Sequence, residues 1–547
     1  MKLALALICA LLADAELEKA KADFKQALGE LNAGALQSAA ERLAATDQKA
    51  ATDTLMDGYG KCATAIKGFW GEKLKHYQER EANGDFKIDY KTNPPSIPPG
   101  DVAKYMRYQE ADKQSKAVEA KILNCEAAKV VIVKALGKFK GDASVKNLIH
   151  EVTAGADWQR RAAAAEAMGQ VGHKDVPAAL LEALKKDKEP AVAVAILDAF
   201  RELKLSTPEI LAAIAAQLQS DYWQLKVAAT HALKAAGALG GIEPLVDAIG
   251  KADGRLRVEF NDALVALAGV DKHGDAAAWK AWFDANKEAI SKGTYSAKST
   301  EPGTPAGRAM TTTTFYGIPV ESRSVIFVLD RSGSMMDPSD WEEAKDLGTP
   351  TGPGSDIQKK GDRKIDIARW QLKKSIAQLP ENAEFNVIFF SHDVVSLSDK
   401  MLKMSASSRK QAFDWIDKLE PYGGTNPFDA IERALSYTAG GINGEKLQKS
   451  GVDTICLMTD GMPTAGAVAK PDEICARIRA LNKTRKVKIH TVGLFTVSKG
   501  ADAAKDLKEK EDGIKFLKQL SEENGGKFTA SGLPPEKPAD SKKPEGK

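Results

Sequence analysis

The strongest constraint on the fold is a repeat. The fragments Lys134-Ala-Leu136-Gly137, Ala167-Met168-Gly169, Ala199-Phe200, Ala232-Leu233 and Ala263-Leu264 recur with their second apolar position at 136, 168, 200, 233 and 264. Seven residues before each stands Lys129, Arg161, Ala193, Lys226 or Arg257, basic in all but one. Each unit runs on into a second apolar helical stretch, such as Val176–Lys185, Ile210–Leu218 or Ile242–Ile249. A helix pair at this period cannot bury its own apolar stripe, so it must stack on its neighbours as an α-solenoid. Small residues, as in Arg161-Ala-Ala-Ala-Ala165 and Val192-Ala-Val-Ala195, permit close helix packing. Trp279, Trp282 and Phe283 are expected to close the end of the stack as core rather than as an exposed aromatic patch.

Beyond the array, the pattern changes to strands alternating with helices. Val325–Leu329 is β-branched and aromatic without a polar break and reads as a buried parallel strand. It leads into Asp330-Arg-Ser332-Gly-Ser334. A second such run, from Asp453 to Thr459, ends in Asp460-Gly461, and Tyr422-Gly-Gly-Thr425-Asn426-Pro427 forms a turn before the helical stretch Phe428–Tyr437. Further helices are expected over Ile365–Leu379, Ser408–Leu419, Ile474–Asn482 and Phe516–Glu523. Further strands are expected over Phe385–Phe390, Val394–Leu397, Val487–Leu494 and Lys527–Ala530. This alternation calls for a doubly wound sheet, whose loops at the carboxyl ends of the strands converge on one crevice. Carboxylates and hydroxyls without nitrogen or sulfur are hard donors, suited to Mg²⁺, Mn²⁺ or Ca²⁺.

On these residues the segment from Thr314 to Ser531 resembles the von Willebrand factor A (integrin I-like) family. Its metal-ion-dependent adhesion site is Asp-x-Ser-x-Ser with a distant Thr and a distant Asp, which here are Asp330, Ser332, Ser334, Thr425 and Asp460. The resemblance implies a Mg²⁺ ion (or Mn²⁺/Ca²⁺) with an open coordination position that takes an Asp or Glu carboxylate from a partner protein. That is binding, not bond breaking. The chain contains no His-Glu-x-x-His, Gly-x-Ser-x-Gly or Gly-x-x-x-x-Gly-Lys-Ser/Thr motif, in keeping with a non-enzyme. His392 reads as a loop residue. One departure from the family is the insert Met336–Arg363, with Asp337, Asp340, Glu342, Glu343 and Asp346, which is either a solvated loop or a lid over the metal.

The repeats resemble short HEAT repeats of the kind found in phycobilisome lyases, which implies a concave face for a second protein. Two other functions stay open: an accessory subunit of a chelatase- or ATPase-type assembly, or a bilin-lyase-like enzyme.

Met1-Lys2, the apolar Leu3–Leu12 and Ala13-Asp-Ala15 read as a signal peptide, so the chain is expected to be exported, to periplasm, cell envelope or beyond. No later apolar run approaches the ~18 residues of a membrane span. With 78 Lys+Arg against 75 Asp+Glu there is no basic field to attract nucleic acid. Cys62 and Cys125 lie on apolar stripes that permit a bridge, whereas Cys456 and Cys475 read as buried hydrophobes.

The expected fold is therefore multidomain α and α/β: an N-terminal all-α HEAT-like solenoid, then a doubly wound, Rossmann-like α/β von Willebrand A domain. The expected divisions are a signal peptide at 1–15, a helical region at 16–123, the solenoid at 124–291 and a linker at 292–313. The α/β domain at 314–531 and a disordered tail at 532–547 complete the chain.

Overall fold

A computed structural model describes residues 2–84, 86, 96–296, 313–339, 353–437, 447–495 and 503–531. The expected tail, and 297–312 of the expected linker, lie outside them.

The chain opens with α1 (Lys2–Glu30), α2 (Ala33–Ala45), α3 (Lys49–Asn83) and α4 (Val102–Leu136), of which α3 and α4 form a long antiparallel hairpin. Paired helices follow: α5 (Asp142–Ala154), α6 (Trp158–Met168), α7 (Val176–Lys186), α8 (Pro190–Leu203), α9 (Pro208–Ala216), α10 (Trp223–Ala236), α11 (Ile242–Ile249), α12 (Gly254–Ala268) and α13 (Ala276–Ser291). The even-numbered helices from α4 to α12 pack side by side in one row, with the odd-numbered ones behind them.

The small residues act where the rows touch. A Cβ on Gly169 would lie 3.1 Å from Ala199 Cα, so α6 ends almost against the backbone of α8. The recurrent base turns back on the loop before its own helix: Arg161 donates to Gly155 O at 2.9 Å, and Arg257 to Ala252 O at 2.8 Å. Trp279 is fully buried and donates through Nε1 to Asn261 Oδ1 at 2.8 Å, closing the stack as expected. Helix α4 runs unbroken through 123/124, because its apolar stripe (Val118, Ile122, Cys125, Ile132) has no interruption there.

The α/β unit comprises β1 (Thr314–Phe315), β2 (Ile318–Pro319), β3 (Ser324–Asp330), α14 (Lys364–Gln378), β4 (Glu384–Phe390), β5 (Val394–Ser396), β6 (Leu402–Lys403), α15 (Ala406–Ile416), α16 (Pro427–Ser436), β7 (Thr454–Thr459), α17 (Pro471–Asn482), β8 (Lys488–Leu494), α18 (Ala503–Glu523) and β9 (Phe528–Ser531). The main sheet has the order β5-β4-β3-β7-β8-β9, parallel from β4 to β9, with β5 antiparallel at the edge. Successive residues of β3 serve opposite faces. Val325, Phe327 and Leu329 pack with α14 and α15, while Ile326 and Val328 pack with α16, α17 and α18. Unbroken apolar strands follow from this two-sided burial. The chain passes from β3 to β4 on one side and later to β7 on the other, so the switch point lies at the carboxyl end of β3.

The helical part and the α/β unit are not separate bodies joined by a tether. Lys73 of α3 reaches Glu119 of α4 at 2.7 Å and also bonds Glu432 of α16. Arg477 of α17 donates to Glu119 at 3.0 Å, and Arg80 to Asp429 at 3.0 Å. Farther along, Lys483 pairs with Glu166 of α6, Lys486 with Asp198 of α8 at 2.7 Å, and Lys488 with Glu259 of α12 at 3.3 Å. Basic residues of the α/β unit thus meet acidic positions on α6, α8 and α12 of the front row. A cleft of about 1510 Å³ lies between the two parts.

Candidate metal centre

Asp330 is the last residue of β3 and has no exposed surface. Its Oδ1 accepts from Ser332 N at 2.7 Å and its Oδ2 from the Thr459 hydroxyl at 2.5 Å, which ties the end of β3 to the end of β7. The next two motif residues continue the chain of contacts. Ser332 Oγ lies 3.2 Å from Ser334 Oγ, and the Ser334 hydroxyl donates to Asp460 Oδ1 at 2.9 Å. Four of the five expected residues are therefore joined through polar contacts at one place.

Thr425 is brought to the same end of the sheet by backbone. Gly333 N donates to Gly423 O at 2.9 Å and Tyr422 N to Arg331 O at 2.8 Å, clamping the Thr425 loop onto the motif loop. Thr464 closes it from the other side, donating through its backbone N to Thr425 O and accepting from Thr425 N, both at 2.9 Å. Gly423 has φ +73, and a Cβ there would lie 2.0 Å from His392 Nδ1, so only glycine fits this turn. His392 is, as expected, a loop residue: its ring lies against Phe86, Tyr108 and Tyr422, and its carbonyl accepts from Arg80 and Tyr108.

Sequence reasoning missed several residues of the site. Lys364, the first residue of α14, donates to Asp460 Oδ2 at 2.7 Å and is 6% exposed. Arg331 holds Asp393 at 3.0 Å and stacks over the Tyr422 ring. Thr459 had a signal, since it directly precedes Asp460. Lys364 had none, because the insert separates it from the motif. The insert's ends are joined by a bridge between Pro338 and Arg363, and Lys364 N donates to Asp337 O at 2.9 Å. Residues 340–352, with most of the acidic cluster weighed as a lid, lie outside the described residues.

The electrostatics suit a cation. Burial above all, with Asp460 alongside, pushes the Asp330 carboxyl up to about 7. Asp460 faces the buried ammonium of Lys364, while the two aspartates oppose each other's charge, a repulsion that a cation would relieve. The remaining donors are hydroxyls, and among the described residues no three His, Cys, Asp or Glu side chains converge. That set fits a hard, oxygen-preferring ion and does not fit zinc.

Comparisons with known proteins agree on the domain. The family described as von Willebrand factor type A domain matches residues 358–527. Inter-alpha-trypsin inhibitor heavy chain H4 of Homo sapiens is 27% identical over 210 residues, covering 38% of this chain and 18% of that protein. Heavy chain H2 of Mus musculus is 28% identical over 156 residues, covering 28% and 15%. The chain thus spans less than a fifth of the length of these relatives. Among solved structures, a von Willebrand factor type A protein from Catenulispora acidiphila is 16% identical, the match covering 39% of each chain with a TM-score of 0.24. Over residues 358–527 the α/β unit thus matches the von Willebrand factor type A domain.

Proposed function

We propose that this is a non-enzymatic exported binding or scaffold protein. Its A domain holds a divalent cation, Mg²⁺ or else Mn²⁺ or Ca²⁺, and captures an acidic group of a protein partner through it. The observation that carries the reading is the meeting of Asp330, Ser332, Ser334 and Asp460, with Thr425 on the adjoining loop, at the switch point of the sheet. Hydroxyls of Ser332, Ser334 and Thr425 would hold the ion, with Asp330 and Asp460 supplying the charge that retains it. A bound ion with few direct carboxylates stays electrophilic and offers a position to an incoming Asp or Glu side chain. Ser334 is exposed and the aspartates are buried, so the approach is from the Ser334 side.

The HEAT-like array was expected to offer a second protein-binding surface. Its front row already carries the chain's own A domain, so the reading narrows to a scaffold that positions the metal site, with the cleft and outer faces left for partners. Export rests on the segment up to Ala15. Among the described residues no helix is long and apolar enough to cross a membrane.

Calorimetric titration of Mg²⁺ and Mn²⁺ into the wild-type chain and Asp460→Ala tests the centre. Binding by the wild type and its loss in the variant are expected, and equal binding would sink the reading. Retention of an immobilised Asp-containing peptide, with and without EDTA and in Thr425→Ala, tests the carboxylate. Retention indifferent to EDTA would refute cation-mediated capture.

A further inference from the structure

Lys364 holds an unusual place for a cation that nothing in the motif requires. It begins α14 beside the carboxyl end of β3, is almost fully buried, and donates to Asp460 Oδ2 at 2.7 Å, with Asp337 Oδ2 at 3.8 Å. The other oxygen of Asp460 accepts from Ser334. Both oxygens of the second metal-site carboxylate are thus engaged, one of them by a full positive charge. Asp330 and Asp460 would together present two negative charges to an incoming ion, and the ammonium cancels one. Lysine is a compact point charge on a flexible stem, so it can compensate a carboxylate without adding a metal ligand.

We propose that Lys364 sets the cation affinity of the centre: it is a tethered ammonium that competes with the divalent ion for Asp460 and keeps binding weak and reversible. This rests on the reading of the site as a divalent-cation centre. Lys364 acts through Asp460, so it is a positioning and charge-compensating residue rather than a ligand. The ammonium keeps the buried pair of aspartates tolerable when no ion is bound. It also opposes the ion's charge at close range, where interactions in a dry site are strong. Asp337, at the root of the insert, is the carboxylate placed to receive the ammonium when the ion takes Asp460.

The sign of the effect separates this role from a structural one. If Lys364 merely supported the loop, removing it would weaken metal binding; if it competes, removing it strengthens binding. The experiment is titration of Mn²⁺ alone into the full chain, followed by calorimetry and by the electron paramagnetic resonance signal of free Mn²⁺. Wild type, Lys364→Met, Lys364→Gln, Lys364→Arg and Asp460→Ala are compared.

Binding about tenfold or more tighter is expected in both neutral variants, about 1.4 kcal/mol, with Lys364→Arg returning toward wild type. Thermal unfolding supplies the control for folding. In EDTA the neutral variants should melt below wild type, because Asp460 loses its partner, and Mn²⁺ should raise their Tm by more than it raises the wild type's. Equal or weaker Mn²⁺ binding in both neutral variants, with wild-type binding intact and abolished by Asp460→Ala, overturns the role of Lys364 alone. No binding in any of the proteins overturns the divalent centre itself, and the inference with it.

Discussion

Replacing Glu119 by Gln should loosen the A domain from the helices that carry it. Glu119 Oε2 accepts from Lys73 at 2.7 Å and Oε1 from Arg477 at 3.0 Å, and all three side chains are at most 2% exposed. Burial works against its charge, but Lys73 and Arg477 override it and hold the carboxyl below its ordinary value. Glu432 shares Lys73, and burial above all pushes its carboxyl up to about 7.

Work at pH 8 keeps both glutamates charged. The substitution then removes two charge-assisted hydrogen bonds, each contributing about 1.5–3 kcal/mol, while the amide oxygen returns about 1 kcal/mol as a neutral acceptor. Lys73 keeps Glu432, and Arg477 keeps Glu126 at 3.5 Å and Glu432 at 3.9 Å. The net loss expected is about 2–5 kcal/mol, overlapping the range for breaking a buried pair from one side.

Urea unfolding gives the total. Native-state hydrogen exchange reads where the loss falls, with α16 and α17 opening together with α3 and α4. A double-mutant cycle with Lys73→Met should show coupling of at least about 1 kcal/mol. A loss below about 1 kcal/mol with unchanged exchange in α17 would refute the view that this ionic cluster holds the two parts together.

Two further outcomes follow from buried groups. Burial first, then Lys488 and Lys527, pushes the His490 imidazole down to about 3, and its Nδ1 accepts from Lys527 N at 3.0 Å. A base whose folded value is depressed from 6.5 contributes stability that is complete above pH 6.5 and lost as the pH falls toward 3. The loss is about 1.4 kcal/mol per pH unit, or about 2 kcal/mol by pH 5. His490→Asn should flatten the stability curve over that window, and an unchanged slope would refute the assignment. The thiols of Cys62 and Cys125 are buried and free on the facing helices α3 and α4. Refolding in a glutathione redox buffer should join them and stabilise the chain by up to about 4 kcal/mol. Non-reducing mass spectrometry that finds both alkylated would exclude the bridge.

The parts of the molecule legible in sequence were those written in local periods. Two-sided burial gives β3, β4, β7 and β8 unbroken apolar runs, and the helices between them show their spacing and stops. Asp330, Ser332 and Ser334 are contiguous, and Thr425 and Asp460 each follow a turn or strand that predicts their place. Lys364 escaped because the Pro338–Arg363 bridge, not spacing, returns it to the site. The docking surface escaped for a related reason. Glu119, Glu126, Lys73 and Arg477 stand in helices rich in charge, and no local pattern separates a buried ion pair from a solvated face. The string Arg477, Lys483, Lys486 and Lys488 becomes meaningful only against Glu119, Glu166, Asp198 and Glu259, which stand on four different helices of the front row.

That docking reaches the loops of the candidate metal site themselves. Asp429, fully buried in the first turn of α16, accepts from Arg80 of α3 and from the Asn426 side chain at 2.8 Å. Asn426 caps α16, and its backbone N donates to Ser391 O at 2.9 Å. It is also the immediate neighbour of Thr425. On the other side of the loop, the His392 carbonyl accepts from Arg80 and from Tyr108 of α4. The α3–α4 hairpin thus fixes both the segment that presents Thr425 and the loop that packs behind Gly423. A free A domain would have to order these segments when the ion binds, and would lose affinity to the entropy of doing so. Held by Arg80 and Tyr108, they are ordered beforehand, so the helical array would contribute to the proposed metal site without supplying a ligand to it.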